Sequence, residues 1–351
     1  MNIEELDTIP EQEFSEGDFT KEAKTTQELI DLLIERNMKI TESQKQEALE
    51  FLSLVNYYKI SGYWFKFQNK WLKKEDGNAE KFVVPITFHN IIDIYRFDTK
   101  LRSLCLDALE KIEICIMSQI CNHMCINYGA FWYGNSQYIR LINKTDKKGN
   151  SRLVIDYTSF RAEITKIIKD NYLSDVTLKN FYSKYNNNFP PFWMIAQFLT
   201  FGTIAKLYSA LPIKDQRQIA LNLKINNQYL ESVLQALSYI RNICAHYKRL
   251  WDRSLGIVVP NIKLETTLRE TYKYNYKFHK KPNINDNHFF PVFYSISFLL
   301  SIIAPKSKYC SLIKTLIDKY NSRTNLINYD EMGFPEEWED LPLFAKMLEN
   351  E

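Results

Sequence analysis

Arg241 and His246 are the two residues of this sequence best suited to acid–base chemistry on a phosphate. An imidazole titrates near neutral pH and can take up or release a proton. A guanidinium can bind a phosphate and stabilise charge that builds on it. Together they could cleave RNA through attack of its own 2′-hydroxyl, without a metal ion. The alternative is a helix end whose cations Lys248, Arg249 and Arg253 complement the helix dipole.

The pair must be positioned by a helix whose apolar residues are spaced three and four apart. This spacing is typical of a helix that packs one face against a core, and it predicts one helix over residues 227–252. At 100° per residue, Arg241 and His246 then lie about 140° apart, on the edges of a polar face that includes Asn242. They border a groove, or the helix breaks locally and brings them together. The apolar residues are Leu230, Val233, Leu237, Ile240, Cys244, Tyr247 and Trp251.

A single Arg–His pair supplies too few groups for a base, an acid and charge stabilisation. Two copies of the chain that face each other would supply them. The sequence therefore predicts a homodimer with a shared site.

Most of the remaining sequence also has helical periodicity. Thr25–Glu28 and Thr41–Gln44 are capping boxes that begin helices, and a helix is predicted from 87 to 128. Further helices are predicted at about 158–186, from 189 with an interruption at Gly202, and at 213–225, 287–304 and 308–322. The alternating aromatic residues of 61–68 favour a short strand or hairpin. The prediction is a mainly α fold with room for one short β-hairpin.

Charge is distributed unevenly along the 351 residues. Residues 1–24 carry eight acidic residues against two lysines, and 330–351 carry eight against one lysine. Because the whole chain is +3, the body between these ends is about +16. Such a body suggests a polyanionic partner, most simply nucleic acid, although a lysine-rich surface without that role is the alternative.

Four segments resemble, in their order, the Abi-like proteins of bacterial abortive infection, in the AbiD/AbiF group. Arg241-Asn242-Ile243-Cys244-Ala245-His246 is similar to the R-x4-H motif of the HEPN ribonuclease superfamily, to which that group belongs. The resemblance covers roughly residues 25–345. The segments are 56–67, 95–114, 190–208 and 241–253.

The resemblance implies a HEPN-type helical bundle at 87–255, after an acidic flexible arm at 1–24 and a helical, aromatic region at 25–86. Residues 256–351 would be a C-terminal helical region with an acidic tail. It also implies a cytoplasmic phage-defence toxin with metal-independent endoribonuclease activity, controlled by a small structured RNA. Arg241, Asn242 and His246 would form the catalytic site, with Glu113 orienting Arg241. Alternatives are a non-catalytic RNA-binding HEPN protein, or a HEPN toxin paired with a protein antitoxin.

Two positions depart from the family pattern. Met117 stands where a basic residue is expected, and Gln197 stands where a glutamate is frequent. If these positions serve the site, activity would be weakened or redistributed.

Further cations are candidates for contact with RNA phosphates. Lys248, Arg249, Arg253 and Arg102 lie in or near the motif-bearing helices. The segment 271–281 alternates aromatic and basic residues, which suits stacking on unpaired bases, although a strand with its aromatic residues in the core is an equal alternative. The candidates in that segment are Lys273, Tyr274, Lys277, Lys280 and Lys281.

No cofactor, metal, membrane or DNA partner is predicted. The sequence contains no G-x-G-x-x-G motif and no P-loop, which argues against a common nucleotide-binding fold. Cys121, His123 and Cys125 have no second ligand pair, so core thiols are favoured over a metal site. The apolar run 289–305 is short for a membrane span and fits a buried helix.

Overall fold

The computed structural model describes residues 22–68, 80–145, 151–256 and 288–349. The chain divides into two compact units, one ending at Ile92 and the other beginning at Asp93. The predicted mainly α fold is confirmed, and the described residues contain one short antiparallel hairpin. None of their helices is both long and apolar enough to cross a bilayer.

The first unit consists of short helices, and the first two begin at the predicted caps. At Thr25 the capping box is complete, because Glu28 accepts from the Thr25 N–H at 2.7 Å and donates its own N–H to the Thr25 hydroxyl at 3.3 Å. Gln44 accepts the N–H of Thr41 at 3.3 Å. The helices are α1 (Thr26–Glu35), α2 (Glu42–Leu54), α3 (Tyr57–Trp64) and the first residues of α4 (Phe88–Tyr128).

The strand predicted at 61–68 is wrong, because this segment is the end of α3 followed by a 3-10 turn over Phe65–Phe67. The side chain of Asn56 caps α3 by accepting from the N–H of Tyr58 at 2.8 Å. Tyr63 and Trp64 are both buried, which consecutive residues of a half-buried strand would not be. The aromatic alternation therefore reflects a helix with a wide buried face.

The hairpin lies elsewhere, in a segment for which the sequence predicts no strand. β1 (Ile142–Thr145) pairs with β2 (Ser151–Ile155) in an antiparallel register. Its strands are largely polar and exposed, and Ile155 is the buried residue that anchors β2.

The second unit positions α10 (Asn227–Ala245) against the long helix α4 and the apolar helix α8 (Phe201–Ala210). The break before α8 falls at Thr200, whose hydroxyl accepts the N–H of Thr203 at 3.2 Å. Gly202 therefore lies inside the first turn of α8, and the predicted interruption at that residue is wrong. The remaining helices up to the motif are α5 (Tyr157–Tyr172), α6 (Val176–Lys184), α7 (Phe192–Ile195), α8 (Phe201–Ala210), α9 (Ile213–Asn222) and α10 (Asn227–Ala245).

The C-terminal region packs around an apolar helix, α11 (Phe289–Ile303). Helices α12 (Tyr309–Thr324) and α13 (Pro342–Glu349) follow it. Phe293 of α11 stacks on Phe344 of α13 with 4.9 Å between ring centroids, and Trp338 meets both rings edge-on. Burial of these aromatic side chains gives the acid-rich segment 330–349 a fixed position on α11.

Candidate functional site

The helix that carries the motif ends earlier than its apolar spacing predicts. α10 stops at Ala245, and His246 occupies the C-cap position. The stripe from Leu230 to Cys244 is buried as predicted, whereas Tyr247 is 69% exposed. The predicted continuous helix over 227–252 is therefore wrong, because the helical hydrogen bonding continues to His246 and breaks after it. The break does not lie between Arg241 and His246.

The termination is a Schellman motif formed without glycine. The N–H of Lys248 donates to the carbonyl of Ile243 at 2.9 Å, and the N–H of Tyr247 donates to that of Cys244 at 3.1 Å. Tyr247 adopts the left-handed conformation this closure requires, with φ of 55°. A residue with a Cβ is disfavoured there, so the backbone next to His246 is strained.

A buried carboxylate on α4 anchors the segment that follows the motif. Asp98 accepts the N–H of Leu250 at 3.1 Å and that of Trp251 at 2.6 Å. It also pairs with Arg102, one turn further along α4. Trp251 is thus buried by a turn held on α4 rather than by helix α10.

The structure corrects the assignment of Arg102 as an RNA contact. Its side chain is only 4% exposed, and it donates to Asp98 and, at 3.0 Å, to the hydroxyl of Thr99. Arg102 supports the anchor of the motif instead of facing a ligand.

Arg241 is held by Glu113, as the resemblance implies. The Nε atom of Arg241 lies 3.7 Å from the Oε2 atom of Glu113, whose side chain is 18% exposed. The backbone N–H of Phe201 at the start of α8 also lies near the Glu113 carboxylate and lowers its pKa. The carboxylate therefore lies between Arg241 of α10 and the first turn of α8, and this second neighbour has no signal in the sequence.

Burial raises the pKa of Glu113, while the nearby Arg241 guanidinium and the N–H of Phe201 lower it. Burial is the larger effect, so the folded chain binds this proton more tightly than the unfolded chain. The stabilisation is complete below the ordinary pKa of a glutamate, about 4.3, and is lost as pH rises through the folded value. Relative to Glu113→Gln, the wild-type free energy of unfolding should therefore fall as pH rises above about 4.3.

Urea denaturation of both proteins over a pH series measures this difference. Asp107→Asn is the matched control, because Asp107 lies on the same helix and is exposed. Removal of the opposing guanidinium in Arg241→Ala should move the decline to higher pH. Parallel stability curves for wild type and Glu113→Gln would contradict the assigned burial effect.

His246 and Asn242 are both exposed on the last turn of α10. The N–H of His246 donates to the carbonyl of Asn242 at 3.0 Å, so the backbone follows the helix up to the cap. No described residue forms a hydrogen bond with the His246 imidazole. Arg241 is 37% exposed, which leaves part of its guanidinium open to solvent.

The other cations predicted to bind phosphates differ in their exposure to solvent. Lys248 is exposed, whereas Arg249 and Arg253 are half-buried, and a guanidinium nitrogen of Arg253 lies 3.5 Å from the carbonyl of Arg249. The predicted contacts at Lys273, Tyr274, Lys277, Lys280 and Lys281 lie outside the described residues.

The two departures from the family pattern have different surroundings. Met117 is half-buried on α4, one turn after Glu113, and so lies on the same side of the helix. Gln197 is exposed, and its amide donates to the carbonyl of Met194 at 3.2 Å.

Metal-binding side chains do not cluster anywhere in the described ranges. His123 is the middle residue of the Cys–His–Cys group that was considered as a metal site. It hydrogen-bonds to Asp215 with 2.8 Å between Nε2 and Oδ1. Cys121 and Cys125 contact each other, and burial raises the pKa of both thiols.

A protein-family model matches this chain. The family model described as "Abi-like protein" matches residues 50–252, more than half of the sequence and the whole of the R-x4-H motif. The chain belongs to the Abi-like protein family. No curated protein and no solved structure matches it.

Membership of the Abi-like family supports a role in abortive infection, the defence of bacteria against phage. The match contains α4, α8 and α10, and therefore Glu113, Arg241 and His246 with the anchor at Asp98.

Proposed function

We propose that this Abi-like protein is an endoribonuclease toxin of the HEPN type, active in phage defence and controlled by a structured non-coding RNA. The observation that carries the proposal is an exposed His246 at the end of the helix that also carries Arg241, whose guanidinium lies beside Glu113. An oriented guanidinium and an unengaged imidazole are the groups that RNA cleavage through the 2′-hydroxyl requires.

In the proposed reaction, the 2′-oxygen attacks the adjacent phosphorus and the bond to the 5′-oxygen breaks. Arg241 stabilises the charge on the phosphoryl oxygens, and an imidazole transfers protons. The products are a 2′,3′-cyclic phosphate and a 5′-hydroxyl. Asn242 shapes the site, while Lys248, Arg249 and Arg253 bind flanking phosphates.

The direct test is incubation of the purified protein with end-labelled RNA, followed by analysis of the product ends. The proposal expects 2′,3′-cyclic phosphate ends and affinity that falls steeply with salt, because phosphate contacts release counterions. Tight RNA binding without products would favour the second candidate, a non-catalytic RNA-binding protein, which Met117 and Gln197 support as departures from the family pattern.

We expect the active form to be a homodimer. Each chain offers one Arg241 and one His246, whereas the reaction needs an acid, a base and charge stabilisation. Sedimentation at increasing protein concentration measures the dimer fraction. The specific cleavage rate, measured at the same concentrations, should rise with that fraction. Full specific activity in a monomeric species would contradict the shared site.

The controlling RNA should co-purify with the protein. Sequencing of bound nucleic acid identifies it, and a protein antitoxin would instead appear as a second polypeptide of fixed stoichiometry.

A further inference from the structure

A cavity of about 310 Å³ lies beside α5, in a part of the second unit that contains neither Arg241 nor His246. This is within the roughly 300–1,000 Å³ typical of small-ligand pockets. Four aromatic side chains line it, contributed by α5 and by the segments before β1 and before α7. They are Phe131, Tyr133, Tyr157 and Phe189.

The aromatic walls are held in place by hydrogen bonds to neighbouring backbone carbonyls. The hydroxyl of Tyr157 donates to the carbonyl of Gly134 at 2.7 Å, and that of Tyr133 donates to the carbonyl of Pro190. The N–H of Phe192 donates to the carbonyl of Ala130 at 2.8 Å, which joins the two segments that face each other. The pocket is thus preformed.

Polar groups at the rim match the chemistry of a nucleobase. The Arg161 guanidinium lies over the Phe189 ring, 5.7 Å from its centroid, and stacking of this kind extends a flat surface. Asn187 and Asn188 line the same cavity, and their amides can both donate to and accept from base edges. The loop that carries them is held by the hydroxyl of Tyr182, which lies 3.2 Å from the carbonyl of Asn188.

An adjoining groove of about 570 Å³ supplies positive charge for phosphates. It shares Tyr157 and Arg161 with the cavity and continues along α5 past Lys166 and Lys169. Among the described residues that line it, Asp170 is the acidic one, so three cations there face one carboxylate. A ligand that occupies both spaces has an aromatic ring at one end and anionic groups at the other.

We infer that the cavity and groove bind an unpaired nucleotide of single-stranded RNA, with its base among the aromatic side chains and its phosphates along α5. The inference rests on the proposed function and adds a recognition subsite to it. A base in a duplex cannot enter the cavity, so the subsite selects unpaired segments. Glu163 of α5 accepts the hydroxyl of Thr203, which joins this helix to α8 and hence to the helix turn that contacts Glu113.

The test measures binding of fluorescent oligoadenylate by full-length protein carrying His246→Ala, so that the RNA stays intact. Arg161→Ala removes an exposed side chain, and Phe189→Leu keeps apolar volume while removing the aromatic face. Each should weaken binding about 5- to 50-fold, as expected for loss of one stacked base. Arg217→Ala is the matched control, because it removes an exposed arginine from α9, which lines neither space.

The outcomes separate this inference from the proposed function. Unchanged affinity in both variants, with tight binding by the parent, would overturn the subsite and leave the proposed function standing. Absence of binding by the parent would overturn both. Adenosine monophosphate that binds as tightly as oligoadenylate would overturn the assignment to RNA in favour of a free nucleotide.

Discussion

His246→Ala should lower the rate of RNA cleavage by about 100- to 10,000-fold, the range for loss of a group that transfers protons. Affinity for RNA should stay close to that of the wild type, because the phosphate contacts are made by other side chains. The fold should be unaffected, since His246 is exposed at the end of α10 and its backbone bond to Asn242 does not depend on the imidazole.

Single-turnover cleavage with excess protein measures the chemical step and separates it from product release. Arg241→Ala should cause a loss of similar size, and the double variant should be little slower than either single variant, because the two residues act as one unit. His89→Ala is the matched control, since His89 belongs to the other unit. Wild-type cleavage by His246→Ala in metal-free buffer would refute the catalytic assignment.

The sequence predicts the course of the fold where the periodicity is long and the caps are explicit. The 41 residues of α4 and the apolar stripe of α10 up to Cys244 follow directly from residue spacing. It fails at the end of α10, because Tyr247 and Trp251 continue the three–four spacing by coincidence. Without glycine at the cap, nothing local indicates the Schellman closure at Tyr247.

Tertiary contacts explain the rest of what the sequence did not reveal. The N–H of Trp251 bonds a carboxylate 153 positions away, and no local pattern records that contact. The hairpin escaped detection because its polar strands lack the alternation that marks a half-buried strand. The sequence predicts Arg102 as a surface cation because charge alone does not distinguish a solvated arginine from one buried against Asp98.

For the Arg241–Glu113 contact, the sequence indicates the two partners but not the packing around them. Family resemblance implied the pair, and the structure adds the N–H of Phe201 as the third partner. The sequence therefore indicates which residues belong to the site. The packing of the helices determines that Arg241 lies beside a carboxylate and that His246 is open to solvent.

Asp98→Ala should lower the free energy of unfolding by about 3–5 kcal/mol, the range for breaking a buried ion pair by removal of one partner. The change leaves the charge of the buried Arg102 guanidinium without the carboxylate that compensates it. It also removes the acceptor for the N–H groups of Leu250 and Trp251, so the turn after the motif loses its anchor. RNA cleavage should fall with it, because His246 lies at the start of that turn.

Urea denaturation of a double-mutant cycle tests whether the pair acts as a unit. Asp98→Leu with Arg102→Met should lose less stability than Asp98→Leu alone, because no charge remains buried without a partner. Asp107→Ala is the matched control: Asp107 forms the same four-residue pair with Lys111 on α4, but in solvent, so its loss should be far smaller. Equal small losses at Asp98 and Asp107 would show that the carboxylate of Asp98 does not anchor the motif, and the orientation of His246 would then depend on the Schellman closure alone.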